Sequence, residues 1–319
     1  MIKIYAIAIN TFKEAVRNRV LYVLLFFSIM IMFGAWIASS LSIEENTRIV
    51  RNLGIGAINF ISVLIAVFVG IGLVYNDLDK KTIYTIVSKP IHRWQFLLGK
   101  YLGLLLTIAV NVLVMTWIFC SVLHLRELVT GDALTRALYP TGSDGQVAYR
   151  GSGYHLFYFV ASIAKALVFG FINIVSLGFD GMVVTQGLFA ASVLTILEMA
   201  VITGFAVLFS SFSSPTLSAF MTVIVFVIGR LNQDLYLFAT AMADRAGGVE
   251  FLSGGQVVSY YFAVGAAHVC PNLSIFDQRA AIASMQPVMV GPLEVAYGGV
   301  YTLLVLFVAI VVFNRRNFK

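Results

Sequence analysis

The run Val20-Leu21-Tyr22-Val23-Leu24-Leu25-Phe26-Phe27-Ser28-Ile29-Met30-Ile31-Met32-Phe33-Gly34-Ala35-Trp36-Ile37-Ala38-Ser39-Ser40-Leu41 decides the fold. It carries no charged side chain, and about 20 consecutive apolar residues are what an α-helix needs to cross the hydrocarbon core of a bilayer. Five more runs follow: Gly56 to Tyr75, Tyr101 to Leu123, Gln186 to Phe209, Thr216 to Ala239 and Leu293 to Phe313. In lipid each segment must satisfy its own backbone polar groups, so these runs are read as helices. Composition agrees: of 319 residues 60% are apolar and 11% charged, against roughly 45–50% and about 25% in a soluble domain. Such an excess excludes a disordered chain, a nucleic-acid-binding domain and a soluble enzyme. The sequence predicts an all-α membrane protein, a single domain over residues 1–319 with six transmembrane helices embedded in a lipid bilayer.

The fifth run is interrupted by Arg230, Asn232, Gln233 and Asp234, which leaves Thr216 to Gly229 too short to cross unaided. It is expected to open into a wet or protein-lined site near one face. A further apolar stretch, Leu156 to Phe179, has Lys165 near its middle, and Ser162, Lys165, Asn173 and Ser176 share an arc of about 80° on a helical wheel. It reads as an interfacial or bundle-packed helix within a long outer loop, 124–185. Basic residues set the orientation. With both termini cytoplasmic, the inner segments hold Lys3, Lys13, Arg17, Arg19, Lys80, Lys81, Lys89, Arg93, Lys100, Arg315, Arg316 and Lys319, twelve of the 21 basic residues. A seventh span would carry Arg315 and Arg316 to the wrong side.

Residues 1–19 are not part of a cleavable signal peptide, because the apolar run that follows them, over 20 residues, is too long and no small-residue cleavage site follows a short apolar region. Lys3, Asn10, Lys13, Glu14 and Arg17 fall on one side of a helical wheel, and Tyr5, Ala8, Ile9, Phe12, Ala15 and Val16 on the other. This predicts an amphipathic elbow helix in the inner headgroup plane, turning into the first span at Arg17-Asn18-Arg19. Between the second and third spans, residues 77–99 are far longer than a turn needs. Thr82 can cap a first short helix containing Ile83, Ile86 and Val87; Ser88-Lys89-Pro90 breaks it, with Pro90 opening a second. An exposed basic, partly apolar helix pair is either a membrane-surface flank or a docking knob for a soluble partner, and the pattern leaves both open.

The motifs of chemistry are missing. Gly99-Lys100 is followed by Tyr101 and lacks the earlier glycine of a phosphate-binding loop, so ATP hydrolysis is not expected here. Gly70-Ile71-Gly72 lacks the third glycine of a dinucleotide site, and Gly99 with Gly103 is read as ordinary helix packing. His92, His124, His155 and His268 are scattered, and Cys120 and Cys270 lie far apart; no metal site and no cofactor are expected.

The run Thr82-Ile83-Tyr84-Thr85-Ile86-Val87-Ser88-Lys89-Pro90-Ile91-His92-Arg93-Trp94-Gln95-Phe96-Leu97-Leu98-Gly99-Lys100 resembles the cytoplasmic loop of ABC-2 type transporter permeases, in particular the branch that includes the permease of nitrous oxide reductase maturation. Arg17-Asn18-Arg19, Leu208-Phe209-Ser210-Ser211-Phe212-Ser213-Ser214-Pro215, Pro271-Asn272-Leu273-Ser274-Ile275-Phe276 and Arg315-Arg316-Asn317-Phe318-Lys319 match in order and placement. The long loop 125–185 departs from the compact members. The resemblance implies a coupling helix in segment 77–99 that fits a separate ABC ATPase subunit through Lys80, Lys81, Thr82, Ile83, Tyr84, Lys89, Pro90, Ile91 and Arg93. ATP and Mg would sit on that partner. It further implies a second permease copy, a homodimer rather than a heterodimer, in a bacterial cytoplasmic membrane, with room for a periplasmic partner and no role for nucleic acid.

Two more groups of residues are expected to matter. The outer segment 239–291 has apolar pieces such as Val257 to Ala267, too short to span and too apolar to float in water, so it should fold back as re-entrant or interfacial helices. By resemblance it carries the outer gate, with Tyr260, Tyr261, Phe262, Pro271 and Asn272 as candidates. Inside the membrane the polar candidates are Glu198, Arg230, Asp234 and Asn111. Counted from the turn between the fourth and fifth spans, Glu198 and Arg230 differ in depth by roughly 4 to 5 Å, which an arginine can close. Asp234, one turn beyond Arg230, is the rival partner. The functional reading is a permease subunit of an ATP-binding cassette transporter; the alternative is an ion-coupled secondary transporter or channel working without an ATPase.

Overall fold

The computed structural model describes residues 2–40, 46–72, 92–130, 163–165, 167–168, 183–284, 286 and 290–315. Every element among them is helical, as a backbone without water to bond to requires. Helix α1 spans Ile2–Val16 and α2 Arg19–Ser40. Between them Asn18 caps α2, its side-chain oxygen accepting the Val20 amide at 3.0 Å. Helix α3, Asn46–Leu64, runs on into a π-helical turn, Ile65–Gly70. Helices α4, Arg93–Thr130, and α5, Val183–Ser210, are the long central pair. Helix α6, Pro215–Arg230, starts with Pro215 in its first turn and is followed after Leu231 by α7, Asn232–Ala246. Helix α8, Gly254–Val269, the short α9, Arg279–Ala283, and α10, Pro292–Arg315, complete the chain.

Among the described residues five helices are long and apolar enough to cross a membrane, and the α6–α7 pair, bent by 58°, makes a sixth if counted as one broken span. All six fall where the apolar runs were read. Several boundaries differ, and α7 carries the fifth run on from Ala239 to Ala246. The second span begins at Arg48, because Arg51, read as an outer-loop residue, sits inside α3 and is buried by the neighbouring helices. The third helix begins at Arg93 and continues to Thr130: residues 93–99, read as part of a separate coupling helix, are the first turns of α4, and residues 124–130, read as outer loop, are its last. Nothing in α4 breaks a helix, since it contains no proline and its two glycines, Gly99 and Gly103, are tolerated in helix packing.

The core lies along α3, α4 and α5, where Ile61, Ile65, Leu104, Ile108, Met115, Leu194, Met199 and Ile202 are fully buried. Gly54 lets the Phe119 ring of α4 lie directly over α3, and Gly204 lets α5 close on Val305 of α10. Polar cross-links run between the central helices: Thr116 and Ser192 hydroxyls at 2.7 Å, and Tyr101 Oη donating to the Ala200 carbonyl at 3.1 Å. On the periphery α2 turns Tyr22, Phe26, Phe27 and Ile37 outward and α10 turns Val300, Leu303 and Phe307 outward, the arrangement of helices that meet lipid. Of the stretch Leu156 to Phe179, residues 163–165 and 167–168 are helical, and the Leu167 carbonyl accepts the Trp117 indole N–H of α4 at 3.0 Å.

Helix α1 does not float beside the bundle. A Cβ on Gly99 would stand 2.8 Å from the Ile7 side chain, and one on Gly103 would stand 2.6 Å from the Ala8 carbonyl oxygen and from Thr11 Cβ. Gly99 and Gly103 therefore form the groove in which Ala8, Thr11 and Ala15 of α1 are buried. Lys100 reaches Glu14 at 3.5 Å across the same contact.

Candidate functional site

The site is built around the break between α6 and α7. The apolar face of α6 ends at Gly229; Leu231, with φ −89° and ψ 5°, leaves the helical path, and Asn232 begins α7 in a new direction. Buried Asn232 ties this corner to the end of α8, its amide donating to the carbonyls of Ala267 at 2.7 Å and Cys270 at 3.3 Å. Those carbonyls belong to a helix C-terminus and have no partner within the helix itself.

From Cys270 the chain turns back into the bundle as a wedge, residues 271–276. Gly229 admits it: a Cβ there would lie 2.7 Å from the Pro271 carbonyl oxygen and 2.9 Å from Leu273. Leu273 and Phe276 are buried, Phe276 lying against Gly298 of α10. The wedge holds its own shape, since Asn272 Oδ1 accepts both the Ser274 amide at 3.1 Å and its hydroxyl at 2.6 Å. The Tyr297 hydroxyl of α10 accepts the Asn272 amide at 2.7 Å.

Directly behind the wedge come Asp277 and Arg279, and with them four charges line up. Arg230 Nη1 donates to Glu198 Oε1 at 2.6 Å, and its Nη2 lies 3.2 Å from Asp277 Oδ2. Asp277 is gripped by Arg279, whose Nε donates at 2.9 and 3.1 Å to the two oxygens and whose Nη2 donates at 2.6 Å. Glu198 is wholly buried, one turn after Thr195, whose hydroxyl donates to Asn59 Oδ1 of α3 at 2.8 Å. A buried carboxylate needs a counter-charge with good hydrogen-bond geometry, and Arg230 supplies it. Burial would push the Asp277 carboxyl up, but the Arg279 hydrogen bonds and the Arg230 charge outweigh it and hold it below the usual carboxylate range. The same hydrogen bonds hold the Arg279 guanidinium above its ordinary value.

The structure brings Glu198 and Arg230 together and gives Arg230 a second carboxylate that is not Asp234. The 58° bend turns Asp234 to the exposed face of α7, in the first turn, where a carboxylate suits the helix dipole. Its place is taken by Asp277, which sequence reading missed along with Arg279; the available signal was an acid and a base two apart, next to an apolar motif. Asn111 is buried elsewhere, its amide donating to the Thr107 carbonyl one turn back at 2.8 Å, and does not join the group. Of the outer-gate candidates, Pro271 and Asn272 belong to the wedge. Tyr260, Tyr261 and Phe262 lie on α8, where Tyr261 and Phe262 face outward and Ala263 packs inward. Arg93 begins α4 and donates to the Asn314 carbonyl of α10 at 3.3 Å. Lys80, Lys81, Thr82, Ile83, Tyr84, Lys89, Pro90 and Ile91 lie outside the described residues. Among the described residues no group of three or more His, Cys, Asp or Glu could hold a metal ion.

Residues 5–318 match the family model described as ABC-2 family transporter protein. No curated protein matches the chain. The chain belongs to the ABC-2 transporter family, and is a multi-pass membrane component of an ABC transporter.

Proposed function

We propose that this permease, paired with a second copy of itself, forms the substrate pathway of a transporter whose ATP and Mg are bound by separate ATPase subunits. The observation that supports it best is how α1 docks on α4. Helix α4 starts at Arg93, immediately after segment 77–91, and α1 is packed into the Gly99–Gly103 groove on its first turns. A push on that segment by a soluble partner would thus move α1 and α4 as one body. In this reading α1 is the elbow helix, residues 77–91 carry the coupling helix, and both termini face the cytoplasm in a bacterial inner membrane. The outer gate is formed by the wedge with α8. Placement in the branch of the nitrous oxide reductase maturation permease rests on the order of the sequence motifs.

The ion-coupled alternative is not favoured: the deep charges it would use, Glu198 and Arg230, are engaged with each other at 2.6 Å. The test is purification from the native membrane followed by Ile83→Ala with Tyr84→Ala. A P-loop ATPase is expected to co-purify with the wild type, and the double variant is expected to fold, lose the ATPase and lose transport. Full transport by a preparation free of any ATPase would overturn the reading.

A further inference from the structure

The four charges Glu198, Arg230, Asp277 and Arg279 alternate in sign and belong to two different parts of the molecule. Glu198 and Arg230 are on α5 and α6, joined at 2.6 Å; Asp277 and Arg279 are on the segment behind the wedge, also joined at 2.6 Å. Among the described residues the ion pair that joins the two halves is Arg230 to Asp277, and at 3.2 Å it is the longest of the three. Each half is neutral by itself. If the wedge withdrew, Arg230 would keep Glu198 and Asp277 would keep Arg279, so neither side would be left with an uncompensated buried charge, the outcome that makes broken buried ion pairs costly.

We propose that the Arg230–Asp277 contact is the separable link of a latch that holds residues 271–279 in the bundle, with Arg279 as the positioning residue that makes separation cheap. The latch rests on the permease reading for what its opening serves, namely release of the outer closure. Arg279 shares Asp277 Oδ2 with Arg230 and so weakens the link while it escorts the departing carboxylate. The two residues of one ion pair then have opposite effects on opening: loss of Asp277 frees the wedge, whereas loss of Arg279 commits Asp277 to Arg230 and tightens it. A merely structural pair would loosen the wedge whichever partner was removed.

The experiment uses the full chain, purified and reconstituted, with Cys120→Ala and Cys270→Ser and a reporter thiol at fully buried Leu273 (Leu273→Cys), labelled by a water-soluble maleimide. Asp277→Asn is expected to raise the labelling rate about tenfold, equal to ~1.4 kcal/mol, close to the lower end of what a charge-assisted hydrogen bond contributes. Arg279→Gln is expected to lower it severalfold, and Asp277→Glu to bring it back toward the wild-type rate. Where Leu273→Cys is not monodisperse, Phe276→Cys at the other buried end of the wedge takes its place. Equal increases for Asp277→Asn and Arg279→Gln, no change for either, or failure of Asp277→Glu to restore the rate would each overturn the latch. The permease reading fails separately: shifts of the expected sign in a chain that binds no ATPase keep the latch and remove that reading, and unchanged rates in a chain that co-purifies with its ATPase do the reverse.

Discussion

The α1–α4 contact at one end of the bundle and the wedge at the other are both admitted by glycines, but they are held by opposite means. At α1 the closeness of Gly99 and Gly103 to Ile7, Ala8 and Thr11 gives a wide surface of small side chains, and the Lys100–Glu14 pair lies at its edge with Glu14 half exposed. Dispersion over such a surface falls away at the first fraction of an ångström, so the contact is kept whole or lost. At the wedge, Gly229 and Gly298 admit only a few residues, and directed bonds do the holding: the Asn272 amide to the Tyr297 hydroxyl, the Ser274 hydroxyl to Asn272 Oδ1, and Arg230 and Arg279 to Asp277. Directed bonds can be exchanged one at a time. The first region suits transmission of a force, the second suits a change of state.

The largest effect that would break this contrast is at the buried pair. Arg230→Gln strands Glu198 and is expected to cost about 3–5 kcal/mol, seen as a large drop in thermal stability of the solubilised protein. Adding Glu198→Gln should recover much of it, and strict additivity of the two losses would show that the residues do not act as a pair.

A smaller loss, about 1–3 kcal/mol, is expected for Gly103→Val, because its Cβ would press on the Ala8 backbone oxygen, which has little freedom to yield. Protease sensitivity of α1 in the purified protein reads this out. A Gly103→Val protein as resistant as the wild type would mean that α1 is not seated by close approach.

The smallest effect is one of pH and sharpens the comparison. Because the folded state holds the Asp277 carboxyl below its usual range, facing Arg230 and Arg279, its contribution is complete above the ordinary carboxylate range and is lost as pH falls through the lowered value. Asp277→Asn should therefore flatten the acid limb of the stability curve. Asp234→Asn, at an exposed position, should leave stability at neutral pH within about 0.5 kcal/mol of wild type.

What the sequence could say about these regions follows from how each is made. The spans were legible because the apolar runs and the bilayer thickness share one length scale, and the break after Gly229 because polar residues interrupt such a run. The Glu198–Arg230 meeting could be counted out along two helices joined by a short turn. Asp277 could not be reached that way: it is delivered by a chain reversal after α8 whose path depends on Gly229, Gly298, Asn232 and Tyr297, residues distant in sequence and without periodicity. Gly99 and Gly103 were read as packing residues, yet nothing local said that the partner was α1. The shift of Arg93 from a coupling helix into α4 has a similar cause, since a helix that begins outside the membrane and continues through it shows no composition change at its first turn.

One feature of α3 bears on how motion could pass along the molecule. The six-residue π turn at Ile65–Gly70 accommodates roughly one residue more than an α-helical path would, so Ile71 and Gly72 after it are rotated by about 100° from an uninterrupted helix. The direction in which Ile71 and Gly72 point their flanks is thus set deep in the protein, by a coil wound one notch looser than its neighbours.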